Sequence, residues 1–150
     1  MGTINTLGSE RAAVVAVVDP DANTAAAYTS AYVSMSTFEQ VMAVVQTGVL
    51  GSSATVDFKL VQATDSSGTS SKDITGKAIT QLVKASNDDD QAVINCRADE
   101  LDVTNEFDHV AMVMTVGTAT SDTSAIMIGM TPRHAPASDN DLASVQEIVA

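Results

Sequence analysis

The sequence contains no tryptophan, and aromatics make up only 3% of its 150 residues. A flat stacking platform for sugars or bases is poorly supplied, with Tyr28 and Tyr32 as the two tyrosine candidates. The single cysteine, Cys96, excludes an intrachain disulfide framework and fits a reducing compartment or one indifferent to redox. With no activating neighbour in sequence, Cys96 reads as a small buried hydrophobe. Positive charge is scarce: seven Lys and Arg stand against 19 Asp and Glu, a net charge of -12. Phosphate backbones are repelled by such a chain and no basic run offers an exception, so no nucleic-acid partner is expected. The apolar runs are too short to span a bilayer, so no membrane partner is expected either. Met1 to Glu10 lacks the basic start of a secretory signal, and Asp19-Pro20-Asp21 closes the apolar run behind Arg11, so export is not expected.

Motifs that carry chemistry are missing as well. A phosphate-binding loop ending at Gly76-Lys77 needs a glycine at position 71, which is Ser, and a hydroxyl after the lysine, which is Ala78. No nucleophile elbow, dinucleotide fingerprint or paired-histidine zinc motif occurs. His109 and His134 are the only histidines, one at the start of an expected strand and one in a Pro-flanked loop, and both read as structural or solvated groups. Asp19-x-Asp21-x-Asn23 begins like a calcium loop but has Thr24 at the sharp-turn glycine and Ser30 at the bidentate glutamate, so it reads as a turn. Asp88-Asp89-Asp90 and Asp139-Asn140-Asp141 read as acidic surface loops. No catalytic, cofactor-binding or metal-ligating residue is therefore assigned, no cofactor is expected, and the chain is not expected to be an enzyme.

What the sequence does hold is a succession of short strands. "ATVDFKLVQA" (54–63) sets Val56, Phe58 and Leu60 against Thr55, Asp57 and Lys59, the period of two that half-buries a strand. "HVAMVMTV" (109–116) aligns Val110, Met112, Met114 and Val116, and "SAIMIGMT" (124–131) aligns Ile126, Ile128 and Met130, with a hairpin-like connection between them. "RAAVVAVV" (11–18) and "QAVINCRA" (91–98) are further short strands. In "SMSTFEQVMAVVQTG" (34–48), Ser36 and Glu39 fit a helical capping box. The alternation of Val41, Ala43 and Val45 with Met42, Val44 and Gln46, in so strand-rich a chain, favours a strand.

Other segments stay open at this level. Residues 22–31 fit an extended connection or a short helix, and Tyr28 and Tyr32 share a face in either. Residues 74–83 fit a strand broken at Gly76 or a turn and short helix, and the C-terminal "DNDLASVQEIVA" fits a capped turn at Asp141 or an edge strand. The methionines, Met112, Met114, Met127 and Met130 among them, read as core filler, with interface use as the second reading. The whole predicts an all-β, single-domain β-sandwich, jelly-roll-like, with an N-terminal arm at 1–12 and the sandwich at 13–150. The arm and the loop 64–73 are the expected sticking surfaces, the arm by adding to a neighbour's sheet edge.

From about residue 25 onward, "YTSAYVSMSTFEQVMAVVQTGVLGSSATVDFKLVQATDSSGTSSKDITGKAITQL", "QAVINCRADELDV", "HVAMVMTVGTATSD" and "PASDND" resemble a family of small structural proteins of tailed bacteriophages and related particles. "VQATDSSGTSSKDITGKAITQL" is the most distinctive stretch. The resemblance implies a virion protein made in the host cytoplasm and carried on the outer surface of the head. There it acts as a capsid decoration or cement protein between capsomers, or as the base of a head spike at the vertices. Implied partners are the major capsid protein and further copies of the chain as a homo-oligomer, with a spike or fibre protein for the second role. No family catalytic residue carries over. A carbohydrate-binding or adhesive module is the competing reading, and a groove lined by Tyr28 or Tyr32 would favour it.

Overall fold

The computed structural model describes residues 5–150. Residues 1–4, part of the expected arm, lie outside the described residues. The rest of that arm contains a one-turn helix, α1 (Gly8–Arg11), closed by a hydrogen bond from the Leu7 N–H to the Glu10 carboxylate at 2.7 Å. Ten strands follow: β1 (Ala12–Asn23), β2 (Ala27–Thr29), β3 (Val33–Ser34), β4 (Phe38–Thr47), β5 (Thr55–Ala63), β6 (Lys72–Ala78), β7 (Leu82–Val83), β8 (Gln91–Arg97), β9 (His109–Gly117) and β10 (Ser121–Pro132). Short 3-10 turns at Ala98–Glu100, Val103–Asn105 and Ala137–Asn140 complete the chain.

All pairings are antiparallel, in two sheets. Sheet A runs β1-β10-β4-β8; in sheet B, β9 pairs β2 and β3 on one side and β5 on the other, and β5 pairs β6 and β7. Laid flat, the chain is one long hairpin, β1 against β10, β2 and β3 against β9, β4 against β8, β5 against β6 and β7. Rolling that hairpin adds the β10–β4 and β9–β5 pairings. This is jelly-roll wiring, as expected. The breaks within edge strands are bridged: between β2 and β3, Ser30 donates its N–H to the Met112 carbonyl at 3.0 Å while its Oγ accepts the Met112 N–H at 2.9 Å.

The core lies between the sheets. Val56, Phe58 and Leu60 of β5 face Val41, Ala43 and Val45 of β4, and Met112, Met114 and Met127 are fully buried among them. Phe38 and Leu50 close the interior with 1% exposure each, and with Phe58 and Phe107 also buried all three phenylalanines are spent inside. The strand reading of 34–48 holds, with β4 preceded by a turn at Ser36.

Several expectations change. Asp19-Pro20 does not end the first strand, because β1 continues to Asn23 after an irregularity between Val18 and Asp21, and the buried Asn23 amide donates to the Thr123 carbonyl at 2.9 Å. Met130 is not core filler, because its neighbour Gly129 takes the inward position. Residues 22–31 contain strand β2 rather than helix. Residues 74–83 hold β6 and β7, with Gly76 absorbing the break at φ 77°. After Asn140 the chain takes neither open form: Asp141 Oδ1 accepts the Val14 N–H at 2.7 Å, and the Leu142 N–H donates to the Val14 carbonyl at 2.9 Å. These two bonds cover the free edge of β1 at that point, which limits uncontrolled strand addition there.

Candidate functional site

Antiparallel sandwiches usually present polar side chains on their outer faces. Sheet B follows that rule on β5, with Asp57 and Lys59 outward. Sheet A does not. Across its four strands, Val14, Ile128, Met42 and Asn95 are register partners in one row, and Val17, Ile126, Val44 and Val93 in the next. The side chains alternate with buried Ala13, Met127, Ala43 and Ile94, so both rows face outward. Neither row holds a charge, and Val93 is 52% exposed at the β8 edge. A groove of about 270 Å³ runs over Val17, Ile126 and Val44, flanked by Ser144 of the C-terminal segment. The readable signal was that β4 and β10 are apolar at both parities, the mark of strands covered on two faces.

A second concavity, about 500 Å³, opens at one end of the sandwich. Its floor is Met35, Ala98 and Phe107, and its rim carries Glu39, Asp99, Asp108 and Arg133. Backbone bonds set its walls: the Met35 N–H donates to the Asp108 carbonyl at 2.8 Å, and the Arg133 N–H to the Thr37 carbonyl at 2.9 Å. Glu106, at φ 65°, makes the left-handed turn that delivers Phe107, and the Lys72 ammonium lies 4.0 Å from that ring's centroid. Arg133 approaches Glu39 only to 4.0 Å, while Asp99 is held by Arg97 at 3.0 Å and Asp108 by His109 at 2.6 Å.

The residues weighed in sequence are mostly engaged within the fold. His109 pairs with Asp108, and exposed His134 lies beyond β10 with no hydrogen bond joining the two histidines. Asp88 accepts the Leu50 N–H at 3.0 Å and a hydrogen bond from Lys84, and the lysine contact, with the Leu50 bond, lowers its pKa below the ordinary carboxylate value. Asp90 accepts from Asn87 at 2.8 Å, and Asp21 accepts the Ala22 N–H. Among the described residues no three His, Cys, Asp or Glu side chains group to hold a metal ion. Cys96 is free and buried, and burial pushes its thiol up to about 11.

The loop 64–73 is organised by its own chain. Asp65 Oδ1 accepts the N–H groups of Thr69 and Ser67 at 3.0 and 2.9 Å, and hydrogen bonding from the Thr69 side chain, then from these two N–H groups, holds its carboxyl below the usual range. Tyr32 donates to Ser71 Oγ at 2.8 Å, and its ring occupies the space a β-carbon at Gly68 would need. Tyr28 donates to the Thr24 carbonyl, so the tyrosine hydroxyls are both satisfied internally, and neither ring lines the two concavities above.

No family model matches the chain, and no curated protein does. Among solved structures it is similar to a chain of Broad Bean Stain Virus, at 12% identity over 75% of this chain and 63% of that one, with a TM-score of 0.40. The match thus spans less than two thirds of that viral chain. It is similar to a chain of the Cowpea Mosaic Virus empty virus-like particle, at 11% identity, 89% and 87% coverage and a TM-score of 0.41. It is also similar to a subunit of Bacillus endospore appendages, disulfide-linked pili, at 17% identity, 87% and 99% coverage and a TM-score of 0.29. At TM-scores under 0.5 these likenesses bear on neither family nor function.

Proposed function

We propose that this chain is a virion structural protein, a capsid decoration or cement protein that sits on the outer head shell and stabilises capsomer contacts. The observation that carries the reading is the pair of uncharged, largely apolar rows across the outer face of sheet A, on a chain whose net charge is -12. Contiguous apolar surface of that kind, partly exposed along the rows and open at Val93, with polar residues around it, marks an interface. The resemblance of residues 25 onward to head-associated phage proteins supplies the partner, the major capsid protein. The chemistry required is adhesion alone. The β-branched Val and Ile side chains that make up most of these rows lose little rotamer entropy on docking, and copies linked by self-association add their weak contacts through effective concentration.

Cryo-electron microscopy of purified particles tests this. Density for the chain at all quasi-equivalent capsomer junctions, with sheet A toward the shell, is expected. Density confined to the vertices would make the chain a spike base and remove the clamping role, and particles lacking the chain would sink both.

A further inference from the structure

Six of the chain's seven Lys and Arg residues are in ion pairs: Lys59 with Asp73, Lys72 with Asp102, Lys77 with Glu100, Lys84 with Asp88, Arg97 with Asp99 and Arg133 with Glu39. Arg11 has no such partner among the described residues and is exposed. It stands at the C-terminal end of α1, whose N-cap is Leu7, an apolar side chain 46% exposed. Glu10, between them, is tied back to the Leu7 N–H. The turn therefore offers outward one apolar group and one uncompensated cation.

The end pocket has the complementary chemistry. It joins an apolar floor of Met35 and Phe107 to a rim of three carboxylates and one guanidinium. The connection that builds most of it, residues 97–109, carries one arginine against Asp99, Glu100, Asp102, Glu106 and Asp108. Turn and pocket also lie at the same end of sheet A. Ala12, directly after Arg11, pairs with Met130, and Arg133 on the pocket rim follows three residues later, just past the end of β10. Two such patches side by side are what a two-fold axis requires, because each copy then presents both halves of the contact to the other.

We propose that the chain forms a two-fold dimer in which the Leu7–Arg11 turn of each copy fills the acid-rimmed pocket of the other. Leu7 meets Met35 and Phe107, and the Arg11 guanidinium meets Glu39 and Asp99. The outer face of sheet A stays free for the shell. The dimer gives a molecular form to the self-association in the reading above, yet it does not depend on shell binding, so the two can fail separately.

Sedimentation of the full chain and a charge-swap pair tests the dimer in the absence of any shell. The wild type is expected at twice the 15.5 kDa chain mass. R11E alone, and E39K/D99K alone, each set like charges together and should weaken the dimer on the order of 10²-fold. Mixed, the two variants restore both contacts: the carboxylate that R11E introduces meets the lysines of the other copy, whose own Arg11 meets an intact rim. A heterodimer should then return. All three sites are exposed, and if far-UV circular dichroism shows a variant unfolded, R11Q with E39Q/D99N takes its place, each weakening the dimer about tenfold. A monomeric wild type, whether its pocket is empty or holds its own turn, overturns the proposal. So does an R11E chain that remains dimeric, or a mixture of folded charge-swap variants that remains monomeric.

Discussion

At Gly129, in the middle of β10, an added β-carbon would lie 2.7 Å from the Phe38 ring, which is itself 1% exposed and walled by core side chains. The ring has nowhere to retreat, so G129A should overpack the core and cost about 1–3 kcal/mol, read as a lower urea midpoint, whereas G8A, with nothing within 4 Å, should leave the midpoint in place. Cys96 makes a second test at this scale. Its thiol is raised from 9.0 to about 11 by burial, then by Glu100. A raised pKa means that the folded state holds the proton longer, so Cys96 contributes stability below pH 9 that is lost as the pH climbs toward 11. Native protein at pH 8 should not react with a disulfide probe, unfolding should release one equivalent, and C96A should flatten the alkaline decline. That Cys96 is buried was legible from its apolar strand. Asn23 was not: a polar residue in an acidic stretch gives no local sign that a strand 100 residues away will bury it.

Strand existence was readable wherever side chains alternate in kind, as in β5, because period two and half-burial are the same fact seen twice. Orientation was harder in β4 and β10, whose two parities are both apolar. Ile126, Ile128 and Met130 share a face as expected, but it is the outer one, and the small residues Ala125 and Gly129 with Met127 take the core. Local pattern could not decide this, since the choice depends on the room left by Phe38 across the register from Pro132. The outer face gives the prediction of this scale. I128K places an ammonium in the centre of the apolar rows without entering the core, so the unfolding free energy should move by less than about 1 kcal/mol. Co-sedimentation with capsid shells should nonetheless be lost, because a docked lysine there would be desolvated without a partner. Binding that survives I128K would remove sheet A as the docking face.

For the whole molecule, the run of short strands and polar turns was enough to imply a sandwich, but strand order was not, since jelly-roll pairings join residues as distant as Ala12 and Met130, and no local feature encodes them. Charge is the other whole-molecule property, and it opposes itself. Lowering the pH from 7 relieves the mutual repulsion of a chain at -12, which favours the compact state. Against this, Asp65, Asp88, Glu100 and Asp102 all have folded pKa values below their ordinary 3.8 or 4.5, mainly through hydrogen bonds from Thr69, Lys84, the Arg97 N–H and Lys72. Groups depressed in this way contribute stability that is present above those ordinary values and lost as the pH falls through the lower folded ones. Thermal melts followed by far-UV circular dichroism should therefore hold steady or rise from pH 7 to about 4.5 and drop below about 3.8, where the second effect overtakes the first. D88N, which removes one of the four, should make that acid drop shallower, and a melt that falls steadily from pH 7 would mean that carboxylates other than these four govern the acid side.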